Sequence, residues 1–283
     1  MKTSFFRLRA GVLLLLLTLS LTVAAQNKEQ LVVPLSSPGK PGLLSAKLVN
    51  GSITVVGYAG KDVVIDASSR SSRDKDDDND DNDDGRPAPP KGMKRIASNS
   101  GFDLTAEEQD NKVSVKSNSY QRPVNLTIKV PQHFSLQLKT VNDGDIVVEN
   151  VTGELEISNV NGGVILRQVS GSAVANTVNG PIKAYFKTVT AGAPMAFSTV
   201  NGQVDVTLPA TAKASLKLKS DQGEVYSDFD LVPEKTAPKV NRTNQNGVYR
   251  VSTDSWTYGR LNGGGAEIMM KSLMGNIYIR KAK

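Results

Sequence analysis

A nine-residue repeat in the middle of the chain constrains the fold more than any other feature. From each glycine of the repeat, the second and fourth following positions are apolar or small, as Val164 and Leu166 are after Gly162, and the positions between are mostly polar. This period-two alternation predicts strands with one buried face. Four copies follow one another without an insertion: Val151-Thr152-Gly153, Val160-Asn161-Gly162, Val169-Ser170-Gly171 and Val178-Asn179-Gly180.

The turn chemistry of the repeat alternates, with Asn-Gly in the second and fourth copies and Thr-Gly or Ser-Gly in the first and third. Two nine-residue units therefore predict one coil of 18 residues, because Asn and Gly tolerate the positive φ of tight turns and recur at one corner of a solenoid. This coil length places Glu149 beside Arg167 and Val147 beside Ile165 on neighbouring strands. It also predicts one buried column: Val160, Val164, Leu166, Val178 and Ile182.

The same pattern extends with looser spacing over most of the chain. We expect an all-β, single-domain parallel β-helix or solenoid with coils of about 18–22 residues, two strands per coil and a disordered acidic insert. Antiparallel hairpins are the alternative, because Asn-Gly between alternating strands is also a hairpin signal. The predicted structural turn residues are Asn50, Gly51, Asn142, Gly144, Gly153, Asn161, Gly162, Gly171, Asn179, Gly180, Asn201, Gly202, Gly223 and Gly275.

Three copies of a longer phrase carry a family resemblance: Lys139-Thr140-Val141-Asn142-Asp143-Gly144, Ser198-Thr199-Val200-Asn201-Gly202 and Ser272-Leu273-Met274-Gly275-Asn276. Together with the lead-in Leu126–Pro131, they resemble the bacterial DUF4097 family of adhesin-like proteins, over roughly residues 43 to 281. The resemblance implies a cell-envelope β-solenoid with an adhesive or scaffolding role. It supplies no catalytic residues.

The first 25 residues have the pattern of a secretory signal peptide: Lys2, Arg7 and Arg9, then an apolar run, then Val23-Ala24-Ala25. We therefore expect an exported protein, periplasmic or at the cell surface, with no membrane span in the mature chain. The chain contains no cysteine, so its stability must come from burial and stacking.

The predicted division of the chain follows these patterns. Residues 26–42 form an N-terminal extended segment, and residues 43–283 form the solenoid domain. Two stretches interrupt it, an acidic and proline-rich loop over residues 69–94 and an irregular loop over residues 231–247, because both lose the apolar alternation.

The acidic run Asp74–Asp84 holds eight aspartates and one lysine. Asp80, Asn82 and Asp84, followed by Gly85, match the first half of a calcium loop. The second half fails, because Lys91 stands where a bidentate Glu is needed. We expect a solvated loop with loose divalent-cation binding at most, and no other cofactor.

Catalytic patterns are weak. His133 is the single histidine, and no partner residues for catalysis flank it. Glu154 and Glu156 have the spacing of a glycosidase carboxylate pair, but they lie on an outward strand face, where alternating charged residues are ordinary. We therefore expect no enzyme, but a binding or structural element of the envelope whose partner is an envelope polymer, a glycan or a protein. Nucleic acid is not expected, since the mature chain outside the acidic run has an excess of only about ten positive charges and these are dispersed. The alternatives are a carbohydrate-active lyase or hydrolase on a β-helix and a self-assembling solenoid filament.

Overall fold

The structure is a computed structural model that describes residues 28–69, 103–117, 123–234, 239–245, 248–254 and 256–283. The described residues form strands and turns and no helix, so no helix among them could cross a membrane. The predicted signal peptide, the acidic run and most of the loop over residues 69–94 lie outside the described residues. The strands are β1 (Lys28–Val33), β2 (Gly42–Lys47), β3 (Ile53–Tyr58), β4 (Val63–Ser69), β5 (Leu104–Gln109), β6 (Lys112–Ser117), β7 (Val124–Pro131), β8 (Phe134–Lys139), β9 (Ile146–Glu149), β10 (Thr152–Ser158), β11 (Val164–Asn179), β12 (Ile182–Val189), β13 (Met195–Asn201), β14 (Val204–Leu208), β15 (Ala214–Ser220), β16 (Val225–Ser227), β17 (Val232–Glu234), β18 (Lys239–Gln245), β19 (Val248–Asp254), β20 (Thr257–Leu261), β21 (Glu267–Ser272) and β22 (Ile277–Lys281).

The strands form two faces of a flattened solenoid, confirming the predicted all-β fold with two strands per coil. Face A has the order β5-β6-β2-β8-β10-β11-β13-β21-β15-β20-β17. Face B has the order β1-β4-β7-β3-β9-β11-β12-β14-β22-β16. Strand β11 belongs to both, because it bends at Gln168 and Gly171, whose φ angles are 51° and 117°.

The core lies between the two faces and is built from the alternate residues of every coil. Phe186 of face B meets Phe197 of face A edge to face, with ring centroids 6.2 Å apart. Both rings are fully buried, as is Phe134. Among the described residues, every buried side-chain nitrogen or oxygen has a hydrogen-bond partner. The predicted pairs also hold: Val147 lies beside Ile165, and Glu149 beside Arg167 at 4.0 Å.

The order of the coils in space differs from their order along the chain at both ends of the solenoid. The first coil, β2 and β3, lies between the coil of β6 and β7 and the coil of β8 and β9. The last coil, β21 and β22, lies between the coil of β13 and β14 and the coil of β15 and β16. The first coil therefore lies between two coils that come later in the chain, and the last coil lies between two that come earlier.

Antiparallel pairing, the alternative reading of the sequence, occurs only near the ends of the stack and in a separate hairpin among the described residues. β5 pairs with β6, β4 with β7 and β1 with β4, and at the other end β20 pairs with β15 and β17 with β20.

Residues 231–247 were expected to form an irregular loop, and this expectation is wrong in part. The stretch contains β17 and β18, and β18 pairs with β19 in an antiparallel hairpin. The sequence signal for that hairpin is Asn246-Gly247, because two residues of this type between strands are typical of a tight hairpin turn.

Candidate functional site

One corner of the solenoid is built by a five-position motif that recurs in successive coils. Its fullest form is Ser198-Thr199-Val200-Asn201-Gly202 at the end of β13. Because coils stack in register, each motif position forms its own ladder along the solenoid axis, with neighbouring rungs about 4.8 Å apart. The side chains of the first, third and fourth positions face outward, those of the second position face inward, and the glycines of the fifth position pack against the next coil.

The glycine position requires the absence of a side chain. A Cβ atom on Gly180 would meet the carbonyl group of Gly162, and one on Gly202 would meet the carbonyl group of Gly180. Gly162 also has a φ of 155°. The glycines of this column are Gly51, Gly144, Gly162, Gly180, Gly202, Gly275 and Gly223.

The second motif position supplies a buried polar group that bonds to this glycine column. The hydroxyl groups of Thr177 and Thr199 donate to the carbonyl oxygens of Gly162 and Gly180 at 2.8 and 2.9 Å. Four other coils contain the same hydrogen bond from a side-chain donor to a glycine carbonyl oxygen: Thr140 to Gly51, Asn159 to Gly144, Ser272 to Gly202 and Ser220 to Gly275. A small side chain with a donor is therefore needed inside the corner.

The third motif position points outward and forms an exposed aliphatic ridge. Val178 and Val200 are 39% and 38% exposed, and Leu273 is 39% exposed. The predicted burial of Val160 and Val178 is therefore wrong: Val160 is half-buried and Val178 is exposed. The reason is that the alternation of β11 continues to its end: Ala173, Ala175 and Thr177 face the core, and Val178 faces outward. The ridge consists of Val49, Val141, Val160, Val178, Val200 and Leu273.

The fourth position forms a ladder of asparagine side chains beside the ridge. The amide of Asn142 donates to Asn50 at 3.1 Å, that of Asn161 to Asn142 at 2.8 Å, and that of Asn179 to Asn161 at 2.8 Å. Asn201 continues it by donating to Asn179 at 2.7 Å. Successive rungs from Asn142 onward are 19, 18 and 22 residues apart in sequence. The predicted turn asparagines thus become one hydrogen-bonded chain.

The other predicted turn glycines lie elsewhere. Gly153 and Gly171 are placed within β10 and β11, at the opposite corner of the coil. They stack on each other, since a Cβ on Gly171 would meet the carbonyl of Gly153. Both corners therefore stack glycines, but only the first carries a ladder of hydrogen-bonded asparagine side chains among the described residues.

The first motif position forms what we call the lysine row, on face A directly beside the ridge. Neighbouring residues in this row are paired in the strand register. Its members in spatial order are Lys116, Lys47, Lys139, Ser158, Asn176, Ser198, Lys271 and Lys219. The row therefore has three lysines at one end, two at the other and small polar side chains between them.

The lysine row is electrostatically unfavourable by itself. Lys116, Lys47 and Lys139 are exposed and lie directly opposite one another on neighbouring strands, where like charges destabilise a sheet. Neither these three nor Lys271 forms a hydrogen bond or ion pair with another described residue. Lys219 differs, since it pairs with Asp221 at 3.5 Å.

Two arginines on face B are paired with carboxylates. Arg280 contacts Asp205 at 2.8 Å, and this partner raises the pKa of the Arg280 guanidinium. Arg167 lies 4.0 Å from Glu149. Lys129 and Lys183 of face B form no hydrogen bond or ion pair with another described residue, so what distinguishes the lysine row is that its lysines lie directly opposite one another on neighbouring strands.

A second surface feature lies at the edge of face B, where the rings of Tyr226 and Tyr278 stack with centroids 5.3 Å apart. The Tyr226 hydroxyl donates to the carboxylate of Glu224, and this bond raises the pKa of Tyr226. The guanidinium of Arg280 lies 5.1 Å from the Tyr278 ring centroid. The two tyrosine rings cover one face of each other, and Tyr226 remains 47% exposed on the edge strand.

The residues considered for catalysis lie apart from any cleft. Glu154 and Glu156 are exposed on the flat outer side of β10, and Glu156 accepts a hydrogen bond from Gln137 at 3.2 Å. His133 is exposed in the turn before β8. One concavity of about 410 Å³ lies at the β5–β6 hairpin and is lined by Glu107, Glu108, Gln109, Asp110, Lys112 and Ser114.

Metal ligands are not gathered in the part of the chain that the structure describes, which holds no group of three or more His, Cys, Asp or Glu side chains placed to bind an ion. Asp80, Asn82 and Asp84, the residues of the partial calcium-loop pattern, lie outside the described residues. Loose divalent-cation binding there stays a prediction.

Comparison with known proteins decides the family. The model of the family described as Toastrack DUF4097 matches residues 44–255. This chain belongs to that family. The match includes the corner motifs of β8, β11 and β13, so the asparagine ladder lies within the Toastrack region, while Lys271, Leu273 and Gly275 of the other ladders lie beyond it. The resemblance noted in the sequence is confirmed.

Two solved structures are similar at 12% sequence identity. One is a putative cell adhesion protein from Clostridium sporogenes, with a TM-score of 0.48, covering 90% of this chain and 99% of that one. The other is a putative adhesin from Bacteroides fragilis, with a TM-score of 0.36, covering 91% of this chain and 98% of that one. No curated protein matches the chain.

Proposed function

We propose that this Toastrack protein is an exported, non-catalytic envelope protein that acts as an adhesin-like binding or structural scaffold element. Its contact surface is the corner formed by the lysine row, the aliphatic ridge and the asparagine ladder. The observation that carries the proposal is that one repeated motif presents an apolar line beside a row of lysines on the same corner, and four of these lysines pair with no other described residue.

The ridge supports contact with a partner because its side chains form a continuous line, exposed at every position except the half-buried Val141 and Val160. Six aliphatic residues on neighbouring coils span about 24 Å at the spacing of stacked strands. Isolated exposed apolar residues are ordinary, whereas a contiguous apolar surface marks an interaction site. The rigid hydrogen-bonded turns beneath the ridge fix its shape before a partner binds, which reduces the entropy lost on binding.

The two alternatives have less support. An enzyme needs converging groups in a cleft, and Glu154 and Glu156 lie on an open strand face. A filament needs open solenoid ends, and three of the four terminal strands, β1, β5 and β17, are antiparallel to their neighbours. The fourth, β16, has only three residues.

The test measures sedimentation of the purified protein with washed cell envelopes of the source bacterium. Val178→Ser combined with Val200→Ser should weaken binding by about tenfold, because losing two apolar contacts removes on the order of 1–2 kcal/mol of binding free energy. Val147→Ser with Ile165→Ser is the matched control, since these two aliphatic residues are also neighbours but lie on face B. Equal binding by all three proteins would contradict the assignment of the contact surface.

A further inference from the structure

We propose that the lysine row binds an extended acidic polysaccharide, laid along the solenoid axis with its carboxylates on the lysines. This inference rests on the proposed function and names the ligand class of the same corner. The first argument is charge. Lys116, Lys47 and Lys139 repel one another across neighbouring strands, and a polyanion that bridges them removes this repulsion.

The length of the row suits an extended polymer. Rungs of the row repeat about every 4.8 Å, so the eight positions extend over about 34 Å. A polyuronate carries one carboxylate on every sugar ring, so a segment of several rings can reach both groups of lysines.

The middle of the row supplies groups suited to sugar hydroxyls. Ser158, Asn176 and Ser198 lie between the two groups of lysines. Asn176 accepts a hydrogen bond from the Ser158 hydroxyl at 3.0 Å through its side-chain oxygen. Its amide NH₂ group donates to no described residue and is exposed, so it is available as a donor.

The aliphatic ridge supplies the remaining part of a sugar site. The ridge runs parallel to the lysine row at the same corner. Its residues lie two positions later in each coil, as Val141 follows Lys139 and Val178 follows Asn176. The C–H faces of sugar rings are apolar and can pack against such a ridge while their carboxylates reach the lysines. Cations, hydrogen-bonding groups and an apolar line thus run side by side with one repeat.

The experiment is calorimetric titration of the purified protein with oligogalacturonate of about ten sugar units. We expect saturable binding that weakens as salt is raised, and at least about tenfold weaker binding of the fully methyl-esterified oligomer, which lacks the charges. Inorganic polyphosphate and vesicles containing anionic phospholipid are titrated in parallel. Binding to either of these but not to oligogalacturonate would overturn the polysaccharide assignment.

Two sets of variants locate the site. Lys47→Gln, Lys116→Gln and Lys139→Gln together should weaken oligogalacturonate binding by at least about tenfold. Lys129→Gln, Lys183→Gln and Lys187→Gln together remove the same charge from the exposed side of face B and should change it less than about twofold. An equal loss in both triple variants would overturn the proposal.

A single isosteric change provides an independent check that does not depend on charge removal. Asn176→Asp keeps the side-chain oxygen that accepts from Ser158 and adds one negative charge in the middle of the row. We expect weaker oligogalacturonate binding with an unchanged unfolding midpoint, and unchanged binding would overturn the proposal. The wild-type protein could fail to bind oligogalacturonate while the Val178→Ser, Val200→Ser variant still binds envelopes more weakly than wild type. In that case the proposed function stands and only the ligand class is wrong.

Discussion

The side-chain amide of Asn179 donates a hydrogen bond to the side-chain oxygen of Asn161 at 2.8 Å, one coil away. Asn161 in turn donates to Asn142, so an asparagine in the interior of the ladder both donates and accepts a side-chain hydrogen bond. Asn201 donates to Asn179 but receives no such bond, because the next coil in space presents Met274 at this position. The rungs of one ladder are therefore energetically unequal.

This inequality predicts the effect of single substitutions in the asparagine ladder. Asn161→Ala removes two side-chain hydrogen bonds and should lower the free energy of unfolding by about 1–3 kcal/mol, since each bond contributes about 0.5–1.5 kcal/mol. Asn201→Ala removes one and should cost about half as much. Urea unfolding followed by circular dichroism measures both, and equal costs would contradict the ladder.

The buried hydroxyls of the corner should matter more than exposed ones. Thr199 is 5% exposed and donates to the Gly180 carbonyl at 2.9 Å. Thr199→Val keeps the shape but removes the donor, and should cost about 1–3 kcal/mol because a buried carbonyl loses its partner. Thr188→Val, at an exposed position of β12, is the control and should change stability by less than about 0.5 kcal/mol. A Thr199→Val protein as stable as the control variant would show that this bond adds nothing.

The position of the last coil predicts an unusual response to truncation. In a solenoid stacked in sequence order, removing the terminal coil only shortens the stack. Here removal of residues 267–283 takes away β21 and β22, which lie between the coils of β13–β14 and β15–β16. We expect loss of the cooperative unfolding transition in the truncated protein. A truncated protein that unfolds cooperatively near the wild-type midpoint would contradict the coil order.

Acid should loosen the N-terminal end of the stack through Glu108. Its carboxylate accepts hydrogen bonds from the backbone N–H and the hydroxyl of Ser36, at 3.0 and 2.7 Å, and these bonds, the backbone one first, hold the pKa of Glu108 below its ordinary value of 4.5. A lowered native pKa means that the stabilisation is present above pH 4.5 and is lost as the pH falls through the native value.

The substitution Glu108→Gln should therefore reduce stability at neutral pH and flatten its decline in acid. Unfolding midpoints measured from pH 7 down to about pH 2.5 test this. Glu107→Gln, at the neighbouring position of β5, is the control. Parallel pH profiles for Glu108→Gln and the wild-type protein would contradict the role of the Ser36 contact.

The repeat predicts the local geometry of each coil well. Alternating residues such as Val164 and Leu166 fix which side of a strand enters the core, and the Asn-Gly pairs mark the corner. The fixed separation of 18 residues also places Glu149 beside Arg167. These are local or equally spaced relations, and a linear sequence records them directly.

Apolar character alone fails at the corner. The valine Val178 was expected in the core, but the alternation of β11 places Thr177 inside and Val178 outside, and the Thr177 hydroxyl donates to the Gly162 carbonyl there. The unusual places of the first and last coils could not be predicted either. A repeat predicts the shape of one coil but not which coils lie beside it. The neighbours of a coil depend on contacts between residues distant in sequence, such as Leu44 with Leu136.

The proposed contact corner is tested most directly by lysine footprinting. The protein is acetylated at low reagent concentration, alone and bound to washed envelopes, and the modification of each lysine is compared by mass spectrometry. We predict that Lys47, Lys116, Lys139 and Lys271 become protected while Lys129, Lys183 and Lys187 on face B react as before. Protection of the face B lysines with an unchanged lysine row would contradict the account.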